Sequence, residues 1–181
     1  LIALLVGLFA FVAGGIASYA VASDATPTIG PMPCEDSARP CVPRLEAAIV
    51  IGALKAQGHT CTESSGRWSC LLAIGVTQYT FSLEETGGQI HKYSARVSNA
   101  DLGPSSDTST SQSKAAMSYL SWSAQLTYSH DPEFSAEIRE WLSKQAGSQG
   151  KTVADVGGYE YTVDATDELI IDLNVEPVVP E

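Results

Sequence analysis

Residues 145–156, QAGSQGKTVADV, contain a Gly-Lys-Thr of the kind that closes a phosphate-cradling loop. In such a loop the backbone amides and a helix N-terminus face the phosphates, so a strand must lead in and a helix must lead out. Here Gln145 occupies the place of the first glycine, a helical pattern precedes the loop and a strand pattern follows it. Lys151 is therefore not expected to hold a nucleotide, and Gly147 and Gly150 read as a helix stop and a turn. Ser111-Gln112-Ser113-Lys114 matches the serine-x-x-lysine of penicillin-binding enzymes. That chemistry also needs S-D-N and K-T-G elements; S-D-N is absent, and Lys151-Thr152-Val153 only approaches the latter. Ser111 reads instead as a helix N-cap beside an exposed lysine.

Three histidines, His59, His91 and His130, form no recognisable ligand or catalytic motif with acidic residues or cysteines in the sequence. Each reads as an ordinary strand or cap residue, although a fold could assemble His59, His91 and acidic strand ends into a catalytic set. Residues 164–168, DATDE, offer oxygens but lack the glycine and spacing of a calcium loop, and read as an acidic turn between strands. No G-x-S-x-G occurs. No cofactor and no metal is expected.

The cysteines say more. Cys34, Cys41, Cys61 and Cys70 form two close sequence pairs, as an oxidising compartment permits, and there is no C-x2-C to suggest zinc. If Ser65-Gly66 is a two-residue hairpin turn, Ser64 faces Arg67 and the pair type alternates outward. Cys61 and Cys70 then fall on a non-hydrogen-bonded pair, close enough for a disulfide. The expectation is Cys61–Cys70 and Cys34–Cys41.

The elements that must position these residues follow from periodicity. Pro43 and Gly58 bound a helix over about 44–57 whose apolar residues wrap much of its circumference. The alternating runs HTCTE, RWSCLLAI, TQYTFSLE and QIHKYSARV predict a four-stranded antiparallel meander. Residues 99–113 have no apolar pattern and read as a linker. Helices are predicted over about 114–128 and from Pro132 to about Gly147, and the runs KTVADV, YEYTVDA and ELIIDLNV predict three more strands. KAQG with YTF in the first half and KQAG with YTV in the second suggest two degenerate αβ repeats. The fold class is α+β: helices packed on antiparallel β-meanders, in a domain over 44–177.

Residues 1–23 carry no charge and would extend roughly 34 Å as a helix, enough to cross a bilayer core. They read as a transmembrane anchor, with a signal peptide cut after Ala20-Val21-Ala22 as the alternative. Residues 24–43, with five prolines, read as a stalk. The net charge of −11 therefore falls wholly on the exported part and opposes binding to nucleic acid or anionic lipid surfaces. On the helix over 114–128, Tyr119, Trp122 and Leu126 form a second apolar face, beside Met117, Leu120 and Ala124. Two apolar faces mean either a sandwiched helix or one that grips a partner. The expected protein is a non-enzymatic domain on the outer side of a bacterial cell membrane that binds an envelope or membrane protein, held to the lipid bilayer through residues 1–23. A small envelope enzyme and a secreted inhibitor or small-ligand carrier are the alternatives.

Overall fold

The structure is a computed structural model and describes residues 32–34, 40–42, 44–99, 108–145, 150–167 and 169–178. The span over 1–23 and most of the stalk lie outside the described residues; among those described, no helix is long and apolar enough to cross a membrane.

A short clip, β1 (Met32–Pro33) paired with β2 (Pro40–Cys41), precedes helix α1 (Ala47–Ala56). Strands β3 (Thr60–Ser64), β4 (Arg67–Ile74), β5 (Thr77–Thr86) and β6 (Gln89–Asn99) form the expected meander. Helices α2 (Thr108–Ala124) and α3 (Pro132–Gln145) follow, then β7 (Gly150–Val156), β8 (Tyr159–Asp167) and β9 (Ile170–Pro177). All seven long strands join one antiparallel sheet in the order β3-β4-β5-β6-β9-β8-β7. Each meander thus ends on one of the two central strands, and β6 pairs with β9 from Tyr93↔Val175 to Ser98↔Ile170. The fold is α+β, a largely antiparallel sheet with three helices.

Local chemistry accounts for the boundaries. Helix α1 stops because Gly58 takes φ +95°, letting Gly58 N–H reach Lys55 O and His59 N–H reach Leu54 O at 3.0 Å each, the paired bonds of a Schellman cap. Helix α3 starts because Asp131 Oδ1 accepts from Glu133 N–H at 3.0 Å and Phe134 N–H at 3.2 Å, while Pro132 needs no donor partner. The β3–β4 hairpin has the register read from sequence, Ser64↔Arg67 through Cys61↔Cys70, with positive φ at Ser65 and Gly66 as a tight hairpin turn demands. Disulfides link Cys61 to Cys70, Cα atoms 4.0 Å apart, and Cys34 to Cys41, 5.1 Å apart.

Two expectations change. Helix α2 spans Thr108–Ala124 and not 114–128, so the linker over 99–113 is shorter than its polar sequence implied, Ser111 lies inside the helix and not at its cap, and Leu126 falls in the turn that follows. Serine and threonine weaken a helix little once its later turns are packed. The second change concerns Tyr119, Trp122 and Leu126. Tyr119 and Leu126 are buried, and half-buried Trp122 packs on Phe81 and Tyr119 at ring separations of 6.4 and 6.1 Å. Leu120 and Ala124 are buried too, so α2 is the sandwiched helix, with apolar groups on both faces inside the core. Tyr119 and Leu126 have little surface left to grip a partner.

All three helices cover one face of the sheet. Alternation sends Cys70, Phe81, Leu83, Tyr93, Ala95, Val97, Leu173, Val175, Tyr161 and Val163 into that layer. The stalk's end is part of it: Val42 is buried, and its N–H donates to Ile90 O at 2.8 Å.

Gly157 marks the tightest contact between layers. Its φ is +62°, the Tyr128 hydroxyl donates to its carbonyl at 2.6 Å, and a methyl group there would overlap the Tyr128 ring and hydroxyl. Gly75 has nearly the same φ, +61°, with open space around it. Gly75→Ala should cost about 1 kcal/mol of backbone strain. Gly157→Ala should cost about 3 kcal/mol, because the Tyr128 contact is lost as well. Urea unfolding midpoints of the two variants check the difference; equal losses would mean that the Tyr128 contact contributes nothing.

Candidate functional site

Two places combine polar chemistry with a defined shape: a buried cluster at the clip, and the sheet face opposite the helices.

The cluster forms where β1 and β2 lie against β6. Cys34, Cys41 and His91 are all buried, with 4%, 2% and 7% of their surface exposed. His91 Nδ1 lies 3.2 Å from Cys34 Sγ, 3.6 Å from Cys41 Sγ and 3.2 Å from the Pro40 carbonyl. Its Nε2 lies 2.7 Å from Thr86 Oγ1. The arrangement satisfies both ring nitrogens when Nδ1–H donates to Pro40 O and the Thr86 hydroxyl donates to Nε2. His91 is brought here by an irregularity in the β5–β6 ladder between Glu84 and Glu85, beside the Gly87-Gly88 turn. Sequence reading missed the cluster because fifty residues separate Cys41 from His91. The nearest available signal was the local Thr86–His91 spacing across that turn.

His59 and His91 do not share a site. His59 Nδ1 lies 3.0 Å from Leu54 O, and its Nε2 lies 3.4 Å from the Tyr119 hydroxyl, whose ring stacks on it. Burial holds the His59 pKa below its ordinary value, the Leu54 carbonyl opposing only in part. His130 is exposed in the turn after α2. Lys151 lies on β7, so a helix precedes the Gly-Lys-Thr and a strand contains it. Asp164 accepts from Thr166 N–H at 3.0 Å and from the Thr166 hydroxyl, which lowers its pKa; residues 164–167 belong to β8, at an irregularity in its pairing with β9, and not to the expected turn between strands.

The open face is ordered in rows, because the strand registers align across the middle of the sheet, between the irregularities at Glu84/Glu85 and Asp164/Asp167. One row runs Thr62, Ser69, Ser82, Ser94, Asn174, Thr162 and Val153, with small polar side chains on six strands and an apolar one on the last. On one side Arg67, Glu84 and Lys92 pair across β4, β5 and β6, with Glu84 2.7 Å from Arg67 and 3.6 Å from Lys92. Glu176, Glu160 and Asp155 continue that side across β9, β8 and β7 as three carboxylates on adjacent strands. On the other side Arg96 grips Asp172 with two bonds of 2.6 and 3.0 Å, tying β6 to β9. Short side chains between long charged ones leave a trough of about 480 Å3 over β3 to β6 and β9. Leu71 and Val153 stand on the same face, 44% and 50% exposed.

Comparison with protein-family models, with curated proteins and with solved structures finds no match to this chain.

His59 generates a pH dependence with a definite sign. Its folded pKa is depressed, so the unfolded chain takes up the proton first as pH falls below about 6.5. Stability from neutral His59 is full above that value and is lost as pH drops towards the folded pKa. His59→Gln should shrink the fall in thermal midpoint between pH 7.5 and pH 5 relative to wild type. An unchanged difference would show that His59 does not titrate as its burial implies.

Proposed function

We propose that this chain is a membrane-tethered extracytoplasmic domain that binds an envelope protein through the open face of its sheet. The observation behind this reading is the row of small polar side chains on six adjacent strands, flanked by charged rows, ending at exposed Val153 and with exposed Leu71 on the same face. A face of hydroxyls and paired charges, carrying two separated apolar groups, has the mixed character of a non-obligate protein interface. The charged row fixes orientation. Its β4–β6 part is ion-paired, two cations sharing the Glu84 carboxylate, whereas Glu176, Glu160 and Asp155 form a like-charged run that a basic group on the partner would stabilise. His59 and His91 fit a structural role better than a catalytic one, because both rings are committed to neighbouring structural groups.

Extracytoplasmic placement is supported by both disulfides, which pair every cysteine of the chain. The anchor rests on the uncharged stretch over 1–23. The clip lies at the end of the sheet that carries the turns at 65–66, 87–88 and 157–158. The Ile74–Thr77 turn, with exposed Ile74 and Val76, lies at the opposite end, so a tether through the clip would direct it away from the bilayer. The duplication read from KAQG/YTF and KQAG/YTV gains support from topology. Tyr79 of β5 and Tyr161 of β8 both sit on the strand next to a central one, and both face the helices. A broad face shared by two halves is a natural product of such a duplication.

The test is capture from native membranes by the tagged full chain, followed by mass spectrometry. Ser82→Arg and Ser94→Arg would fill the trough, whereas Trp122→Phe alters only the helix side. Filling the trough should leave the thermal midpoint within a few degrees and reduce capture of one copurifying envelope protein at least tenfold. Undiminished capture would rule out the open face as the binding surface, and recovery of the chain in the soluble fraction would overturn the tether.

A further inference from the structure

We infer that the clip is a redox-gated metal site: when the Cys34–Cys41 bond is reduced, the two thiolates and His91 Nδ1 bind one thiolate-seeking divalent cation of the zinc class.

The geometry is close to that of such a site. In a tetrahedral zinc centre, with Zn–S about 2.3 Å and Zn–N about 2.0–2.1 Å, each nitrogen–sulfur edge measures about 3.6 Å. His91 Nδ1 already stands 3.2 Å from Cys34 Sγ and 3.6 Å from Cys41 Sγ. The three donor atoms lie within 4.8 Å of one another, and all three residues are buried. Only the sulfur–sulfur edge has to open, and breaking the disulfide opens it. Three protein ligands leave the fourth position to water.

The surroundings suit the ligands as well. A metal-bound imidazole needs its other nitrogen fixed by a hydrogen-bond partner. Thr86 Oγ1 is in place at 2.7 Å from Nε2. A hydroxyl both donates and accepts, so Thr86 serves either tautomer. With the disulfide closed, Nδ1–H donates to Pro40 O and Thr86 donates to Nε2. With metal bound, the proton moves to Nε2, Nε2–H donates to Thr86 Oγ1, and the lone pair that this frees on Nδ1 binds the cation, at the expense of the Nδ1–H bond to Pro40 O. Rotation of the Thr86 hydroxyl accommodates the change of tautomer at Nε2.

The steps balance. A small dithiol reductant gives two electrons and two protons to the Sγ–Sγ bond, yielding two thiols and leaving itself as a disulfide. The cation then displaces both thiol protons into solvent. A small-molecule disulfide reverses the sequence: it takes two electrons from the thiolates and two protons from solvent, leaves as a dithiol, and the re-formed Sγ–Sγ bond releases the ion. The second disulfide lies on β3 and β4, 4.0 Å between Cα atoms, and serves as an internal control, because the three-donor cluster contains only Cys34, Cys41 and His91.

The experiment uses the full chain in detergent, reduced under argon with a phosphine that is then removed, and titrated with cobalt(II) as the spectroscopic probe. One equivalent should bind, with sulfur-to-cobalt charge-transfer bands and the intense d–d bands of a tetrahedral ion. Competition with zinc should abolish both. His91→Ala should weaken binding at least tenfold, and Thr86→Val, which leaves every ligand in place, about tenfold. Replacing Cys61 and Cys70 by Ser should leave the spectrum unchanged. Peptide-resolved alkylation gives a second measurement: zinc should protect Cys34 and Cys41 but not Cys61 and Cys70. The proposal fails if no tetrahedral bands appear, if His91→Ala binds cobalt as tightly as wild type, or if protection falls equally on all four cysteines. Loss of the native circular dichroism on reduction, not restored by zinc, would also overturn it, since the site requires His91 held beside the clip.

Discussion

The pairing of β6 with β9 is the constraint on which the rest of the molecule depends. Each meander alone is a few strands with a helix or two, too little sheet to bury an apolar face well. The register from Tyr93↔Val175 to Ser98↔Ile170 merges them, and the buried residues Ala95 and Leu173 face each other near its centre. On the covered side that junction lies beneath α2, where Tyr93 reaches the helix. On the open side Arg96 and Asp172 clamp it with a bidentate pair. The clamp is solvent-exposed and contributes less than the burial behind it. Its geometry nevertheless favours one register, and a one-residue slip would send Ala95 and Val97 into solvent.

Tyrosines stitch the helices and the clip to this sheet. The Tyr93 hydroxyl lies 2.8 Å from Thr127 Oγ1, Tyr128 donates to Gly157 O at 2.6 Å, and Tyr159 donates to Cys41 O at 2.9 Å. Burial pushes the Tyr128 pKa up to about 12, with the Asp131 charge adding to it, so this hydroxyl remains a donor throughout the physiological range. Each tyrosine fills core volume with its ring and fixes a connection with its tip, a combination that leucine cannot supply. Tyr161 departs from the pattern. Its hydroxyl is buried without a hydrogen-bond partner among the described residues. Leaving such a group unpaired typically costs about 1–3 kcal/mol.

What the sequence disclosed follows the range of the interactions involved. Hairpins are local, so alternation and turn residues give the seven long strands, and Ser65-Gly66 gives the Cys61–Cys70 register. Helix ends are local too, which is why Asp131-Pro132 and Gly58 mark real boundaries. The start of α2 was hidden because residues 108–113 are serine, threonine and glutamine, whose propensity leaves helix and loop nearly balanced. The orientation of Tyr119, Trp122 and Leu126 was hidden for another reason. Periodicity says that a helix has two apolar faces but not what each one meets, and here both meet protein. The cluster of Cys34, Cys41 and His91 depends wholly on tertiary packing, since no motif links residues fifty apart.

The clip joins these levels. Tyr159, from the second meander, bonds the Cys41 carbonyl, and Val42 bonds Ile90, the residue before His91 in the first. The Cys34–Cys41 ring therefore touches both halves of the sheet close to where β6 and β9 bring them together. Closing that ring stiffens a segment that otherwise meets the sheet through β2 and a two-residue pairing with β1. By the chain-entropy relation a ring of this size stabilises by about 2.5 kcal/mol. Opening it frees that segment locally, while β6 and β9 remain held by their own ladder and the layer above them. The same packing that buries His91 against the sulfurs thus ties the clip to the sheet through both meanders.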